Sequence, residues 1–386
     1  MEEEYSHSST SPQEVFLSHT RRRFLQTATG LGAAAWAAPV LRAQSQAGDP
    51  PKKIGIALVG LGKLSEGQLA PALQKTKLCK LTGLVSGHPE KAREWAKKYD
   101  VPEKNIYNYE NFDTIKDNPD IDVIYVVLPN SMHAEYTIRA AKAGKHVLCE
   151  KPMAVSAKEC EAMIAACRAA KRQLAIGYRL HFEPFNLEMA RLSREKVFGA
   201  VKVIEAAAGF RIGDPTQWRL KKALAGGGSM LDVGVYALQA ARYISGEEPV
   251  SVSAAWTKTD PVKFKDVEEE TIQFTLRFPS GCVANCTGTY ATRMSRWYAG
   301  AEDGWFELAP AFGYGPFKGR TSGPDGIKDI DLQNVNHFEA EMDAFAACLL
   351  NNTPTTVPGE EGLRDLRITE AIYQAAASGK AVALKA

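Results

Sequence analysis

Two short stretches carry residue types able to move a proton beside a hydride. The first is Cys149-Glu150-Lys151-Pro152, which ends an apolar run, His146 to Cys149, that reads as a strand. Ligands of open α/β sheets bind beyond the carboxyl ends of strands, so a lysine placed there reaches a bound cofactor. Beside a cationic cofactor ring its ammonium pKa should fall, which helps it polarise a substrate hydroxyl. The second stretch runs from Gly226 through Gly227, Gly228, Asp232 and Gly234 to Tyr236. Its glycines open a helix, and Asp232 and Tyr236, at i and i+4, share one face. An acid and a phenol one turn apart, near a lysine, form a proton-transfer group. In it Tyr236 takes the alcohol proton, Lys151 stabilises the oxyanion, and Asp232 orients Lys151 or the substrate. The plainer readings are an exposed strand-end lysine for Lys151, which this context disfavours, and a capped and packed pair for Asp232 with Tyr236.

Alternating strands and helices must position these groups. Ile54 to Val59 is a short apolar strand ending in Gly60-Leu61-Gly62, and Glu66 to Gln74 can form a helix. Leu81 to Val85 is a strand, Pro89 to Tyr99 a helix, and Asp122 to Leu128 a near-continuous apolar strand of the kind covered on both faces. Met132 to Ala143 is a helix closed by Gly144, and Ser156 to Ala170 another. The succession predicts a doubly wound parallel sheet. Gly60 permits a tight turn, and Gly62 lets backbone approach a pyrophosphate at a helix N-terminus. The third small position is Ser65 rather than glycine. At the end of the second strand Ser86 stands where an NAD site usually carries a carboxylate, with Lys91 and Arg93 on the next helix turn. That pattern favours NADP over NAD; as plain helix charges, Lys91 and Arg93 would instead be solvated.

The second half reads as an α+β domain built on an open, mostly antiparallel sheet. Val201 to Phe210, Val252 to Thr257, Thr271 to Phe278, Cys282 to Tyr290 and Trp305 to Leu308 are strands, with a turn at Phe278-Pro279-Ser280-Gly281. Ile272, Phe274 and Leu276 should share one face. Helices over about Val335 to Asn351 and Glu361 to Ala377 flank the sheet. The Gly- and Pro-rich segment from Pro310 to Asp329 is expected to border the substrate pocket. The division is residues 53–176 for the cofactor-binding domain and 177–386 for the second domain.

The 386 residues suit two domains, with 45% hydrophobic and 24% charged residues, which excludes a disordered or fibrous chain. A formal charge of +2 carries no footprint for nucleic acid. No apolar run is long enough to span a membrane, so no membrane integration is expected. Seven cysteines without a C-x-x-C pair signal neither a zinc site nor a disulfide framework, and buried small hydrophobes are their simplest role. Thr20-Arg21-Arg22-Arg23-Phe24-Leu25, then a weakly apolar Ala- and Gly-rich stretch to Arg42-Ala43, resembles a twin-arginine export signal over residues 1–43. Residues 44–52 form a short polar arm. Export of the folded protein to the periplasm is the expectation.

Together these motifs resemble the glucose–fructose oxidoreductase, inositol dehydrogenase and rhizopine-catabolism (Gfo/Idh/MocA) family, and its glucose–fructose oxidoreductase branch in particular. Val59-Gly60-Leu61-Gly62-Lys63, Leu128-Pro129-Asn130-Ser131, Glu150-Lys151-Pro152, Gly177-Tyr178-Arg179, Gln217-Trp218-Arg219 and Gly226 to Tyr236 carry the resemblance. It implies catalytic roles for Lys151, Asp232 and Tyr236. It implies an NADP site lined by Gly60, Gly62, Lys63, Leu64, Ser86, Lys91, Leu128, Asn130, His133, Glu150, Lys151, Arg179, Trp218 and Arg219, with Tyr178 and Tyr314 beside cofactor or sugar and no metal. It also implies a retained cofactor, an aldose oxidised to a lactone, a second sugar carbonyl reduced to a polyol, and a homodimer or homotetramer packed through the open sheet face. The arm is shorter than in that branch. An NAD(P)-dependent dehydrogenase with releasable cofactor, an NAD-dependent glycosidase on the same fold, and a non-catalytic sensor are the alternatives.

Overall fold

The computed structural model describes residues 53–384. The expected export signal and arm, over residues 1–43 and 44–52, lie outside the described residues.

The first sheet has six strands in the order β3-β2-β1-β4-β5-β6, all parallel. They are β1 Ile54–Val59, β2 Cys79–Val85, β3 Ile106–Tyr107, β4 Val123–Val126, β5 His146–Glu150 and β6 Leu174–Gly177. β4 is buried along its whole length, as expected with both sheet faces covered. Because β1 lies between β2 and β4, the chain reverses its winding there, and that reversal opens a crevice at the strands' carboxyl ends.

The second sheet is nine-stranded and mixed, in the order β14-β13-β12-β11-β7-β10-β9-β8-β15. Its strands are β7 Val201–Gly209, β8 Ser251–Thr257, β9 Thr271–Arg277, β10 Val283–Thr289, β11 Met294–Ala301, β12 Gly304–Leu308, β13 Gly319–Gly323, β14 Gly326–Ile330 and β15 Val382–Ala383. Only the β7–β10 pair is parallel. Ile272, Phe274 and Leu276 are all buried on one face of β9.

Three features depart from the sequence reading. β11 is a central strand that its Met-Ser-Arg-Trp-Tyr-Ala-Gly-Ala composition did not announce; only Trp297 and Ala299 point inward strongly. Half of the Pro310–Asp329 segment is the β13–β14 hairpin, turned at Gly323-Pro324-Asp325-Gly326. The helices expected after β1 and at Asp232 both begin with a wider turn of π type, at Ser65–Leu69 and Met230–Gly234.

The C-terminal helices matter to the first sheet as well as the second. Phe338, Met342 and Phe345 of the helix His337–Leu350 belong to the same apolar core as β1 and β4. Ile368, Ile372 and Ala375 of the helix Gly359–Ser378 join the core of the second sheet, while its Leu366 joins the first. This sharing packs the two sheets onto a common helix. Of the cysteines, Cys79, Cys149, Cys160, Cys167, Cys282 and Cys286 are buried free thiols. Burial pushes the Cys160 and Cys167 thiols up to about 12, so they stay protonated. No helix among the described residues is long and apolar enough to cross a membrane.

Candidate active site

Lys151 leaves the end of β5 and points toward the second sheet. Its ammonium donates to the Asp232 backbone carbonyl at 2.6 Å and to Asp232 Oδ1 at 3.2 Å. It also stands 4.6 Å from the centroid of the Tyr236 ring. Asp232 sits in the Met230–Gly234 turn, and Tyr236 in the first turn of the helix Val235–Ser245. Lys151 therefore lies against both, and an inserted π turn is a common device for placing side chains at functional sites. Backbone packing holds that turn. Glu269 accepts hydrogen bonds from the Gly228 and Met230 amides, and a Cβ on Gly228 would stand 2.1 Å from the Glu269 carbonyl oxygen.

Asp232 is the electrostatic centre. Its Oδ2 accepts from Arg219 Nε at 2.8 Å and from the Tyr290 hydroxyl at 3.0 Å. Burial alone would raise its pKa, but Arg219, Lys151 and Tyr290 outweigh it and hold the carboxyl well below its usual range. Asp232 thus remains a carboxylate and is no proton acceptor near neutrality. Lys151 reports the converse: burial disfavours its charge, yet Tyr236, Asp232 and Glu150 together raise its pKa. The expected fall is not a property of the protein's own groups; the surrounding acids keep the ammonium charged.

Tyr236 carries the remaining proton chemistry. Arg179 donates to its hydroxyl oxygen at 3.1 Å, and to the Phe312 and Gly313 carbonyls at 2.8 and 2.9 Å. A guanidinium only donates, so the Tyr236 hydrogen is free to point at another acceptor. Phe312 stacks on Tyr236, and the exposed Tyr314 ring lies 5.1 Å from the Arg179 guanidinium.

A dinucleotide fits the carboxyl edge of the first sheet. Gly60 has φ +97°, and a Cβ there would stand 2.4 Å from the Val127 carbonyl oxygen, while Gly62 faces open space. Lys63 is exposed beside it and Leu64 half-buried. Ser86 follows β2, buried, its hydroxyl accepting the His88 amide, with no carboxylate in its place. Lys91 pairs with Glu66 and packs over Trp95, at the start of the same crevice. Leu128 follows β4. Trp218 stacks under the Arg219 guanidinium, 4.7 Å from ring to charge.

Four of the expected ligand residues hydrogen-bond within the protein. Tyr178 donates to Asp365 in the interior, so its hydroxyl is turned away from Lys151. Both ring nitrogens of His133 lie 2.8 Å from carbonyls, those of Leu128 and Pro152, and the side chain braces the two loops. The Asn130 amide donates to the Ala225 carbonyl, tying the first sheet to the turn before Asp232. Glu150 is buried against Tyr125. Conversely, Tyr290 and the Phe312 and Gly313 carbonyls were not foreseen. Tyr290 lies 58 residues from Asp232 in the chain, and backbone carbonyls leave no signal in a sequence. Among the described residues no His, Cys, Asp and Glu group could hold a metal ion.

The comparisons with known proteins agree with this architecture. Residues 54–178 match the "Oxidoreductase family, NAD-binding Rossmann fold", residues 186–308 the "GFO/IDH/MocA C-terminal domain", and residues 323–384 the "Oxidoreductase family, C-terminal alpha/beta domain". The chain is 31% identical over 337 residues to a D-xylose 1-dehydrogenase [NADP(+)] of Haloarcula marismortui, covering 86% of this chain and 93% of that one. The crystal structure of aldose-aldose oxidoreductase from Caulobacter crescentus superposes with a TM-score of 0.84 at 45% identity, covering 86% of this chain and all of that one. Levoglucosan dehydrogenase, at 20% identity and TM-score 0.76 over 87% of this chain and 100% of that one, shares the fold. The chain belongs to the Gfo/Idh/MocA oxidoreductase family.

Proposed function

We propose that this chain is an exported, NADP-dependent sugar oxidoreductase that oxidises an aldose to its lactone and reduces a second sugar carbonyl to a polyol on a retained cofactor. One observation carries the chemistry: a charged lysine held between an ionised aspartate and a tyrosine whose hydroxyl hydrogen is free. The names of the relatives support sugars and NADP, and Ser86 at the end of β2 offers no carboxylate to repel a 2′-phosphate.

Bound NADP supplies the hydride acceptor and, once reduced, the donor. The protein supplies the proton route. In the reducing direction Tyr236 gives its hydrogen to the carbonyl oxygen of the sugar. The phenolate left behind lies between the Arg179 and Lys151 cations. In the oxidising direction that phenolate takes the proton of the sugar hydroxyl, so the two half-reactions consume no net proton. Asp232 remains ionised throughout and anchors Lys151 and Arg219. The Phe312–Tyr314 segment lies beside Tyr236, where an aromatic edge suits a sugar face.

The test is near-ultraviolet absorbance of the purified protein without added cofactor. A reduced-nicotinamide band that rises with an aldose and falls with a second sugar supports the two-sugar cycle. Activity that appears only with added NADP supports the second reading, a dehydrogenase with releasable cofactor, which the D-xylose 1-dehydrogenase likeness favours. Export and self-association are parts of the proposal with separate tests: periplasmic appearance that is lost on replacing Arg21 and Arg22 by lysine, and solution mass.

A further inference from the structure

Behind Lys151, away from Asp232, two buried carboxyl groups meet one phenol. The Tyr125 hydroxyl, fully buried on β4, lies 2.8 Å from Glu150 Oε1 and 3.2 Å from Glu341 Oε2. Glu150 ends β5, and Glu341 comes from the helix His337–Leu350. A phenol has one hydrogen and can donate it once. Were both acids ionised, one of these contacts would set a carboxylate oxygen against the phenol oxygen with nothing between them, in a dry interior. One carboxyl must hold a proton.

The surroundings decide which. Burial pushes the Glu150 carboxyl up, but Glu150 has what Glu341 lacks: its Oε2 accepts the Lys151 amide, and the Lys151 and Arg179 charges oppose the burial and favour its ionised form. Glu341 Oε1 has no hydrogen-bond partner, a far smaller penalty for a neutral acid than for a carboxylate. The remaining group of its own helix one turn away, His337, is uncharged, its pKa pushed down to about 3 by burial and by Arg179. Arg179 also faces Glu341, but burial and the Glu150 charge outweigh it and push the Glu341 carboxyl well up.

We propose that Glu341 carries the one carboxyl proton of a Glu341–Tyr125–Glu150 chain and acts as a positioning residue for Lys151. Glu341 donates to the Tyr125 oxygen, Tyr125 donates to Glu150, and Glu150 remains a carboxylate that holds the Lys151 amide. The strand end from which the lysine projects is thereby fixed. This leaves Asp232 and Glu150 as the two ionised acids around Lys151. The inference rests on the reading of Lys151 as the catalytic ammonium, but its first test needs no turnover.

That test is the infrared carbonyl stretch of protonated carboxyl groups in the NADP-loaded enzyme without sugar. A band present in the wild type should vanish in Glu341→Gln and remain in Glu150→Gln. It should move in Tyr125→Phe, where the acid loses its acceptor. The opposite pattern, a band that survives Glu341→Gln and vanishes in Glu150→Gln, overturns the assignment, as does the lack of any band that Glu341→Gln removes. The positioning role is read from kinetics. Glu341→Leu should lower kcat by about tenfold and move its acid limb upward by about one pH unit, because Tyr125, still donating to Glu150, loses the donor that polarises and orients its hydroxyl and so steadies the Glu150 carboxylate less. Glu341→Gln, whose amide can donate to Tyr125 as the acid did, should recover most of both. A Glu341→Leu enzyme with wild-type kcat and pH profile would sink the role even if the proton is where we place it.

Discussion

Asp232 and Asp365 are built from the same kinds of partner and do different work. Asp232 has Lys151, Arg219 and Tyr290 around it. Asp365 accepts from Arg242 Nη1 at 2.6 Å, Tyr178 at 2.7 Å and Gln239 at 2.8 Å. The difference is access. The Asp232 side chain keeps 14% of its surface and Lys151 11%, while Asp365 keeps none and Arg242 4%. One cluster lies where the carboxyl edge of the first sheet faces the second sheet; the other pins the helix Gly359–Ser378 against the helix Val235–Ser245. An acid, an arginine and a tyrosine make a reactive site only where a substrate can reach them. Elsewhere they hold two helices together, and removing one member leaves a buried charge short of a partner.

Substitutions can break this comparison. Lys151→Ala should lower kcat by about 10⁴-fold, since it removes the cation beside the developing oxyanion, with the protein still folded. Sugar-dependent reduction of the cofactor at the wild-type rate in that variant would end the assignment. Asp365→Asn should do the opposite: a stability loss of about 3 kcal/mol in denaturant unfolding, with kcat of the folded enzyme within about threefold of normal. Tyr236→Phe should cost about 10²-fold in kcat with little change in stability. The interior tyrosine sharpens the contrast, because Tyr178→Phe should cost about 1 kcal/mol of stability and leave kcat nearly unchanged. If Tyr178→Phe slowed turnover as Tyr236→Phe does, the two clusters would not be separate.

A pH measurement probes the helix His337–Leu350, which packs into the core of the first sheet. Burial and Arg179 push the pKa of His337 down to about 3, while an unfolded histidine titrates near 6.5. Below about pH 6.5 the unfolded chain binds this proton and the native one does not, so the neutral histidine stabilises above that pH and the benefit is lost as pH falls toward 3. By pH 5 the loss is about 2 kcal/mol, and unfolding of His337→Gln should lack it. The smallest effect expected at the reactive cluster is that of Tyr290→Phe, about tenfold in kcat, since Asp232 keeps Lys151 and Arg219.

Most of the first sheet was legible because its signals are local. Apolar runs such as Asp122 to Leu128, ending in glycine or polar turns, record strands that bury both faces. Gly60 and Lys151 lie at strand ends that any such reading finds. The second sheet was less legible. β11 has a glycine, an arginine and small residues, and is a strand because β7 and β12 flank it on both sides. The β13–β14 hairpin was hidden in a segment whose glycines and prolines read as loop, although Gly323-Pro324-Asp325-Gly326 is a turn signal. The interior partners of Tyr178, His133 and Asn130 were not legible for one reason: a polar side chain near a site in sequence can spend its hydrogen bonds on remote segments.

The sequence by itself determined the parallel sheet, the pyrophosphate turn, the missing carboxylate at Ser86 and the three reactive residue types, because each follows from neighbouring residues and backbone geometry. Only the tertiary structure decided which partners they meet. Lys151 and Asp232 are 81 residues apart, and Tyr125 and Glu341 are 216. Whether an acid is ionised, as Asp232 is, or keeps its proton depends on charges and hydrogen bonds brought in from remote segments, and on how much water those segments exclude.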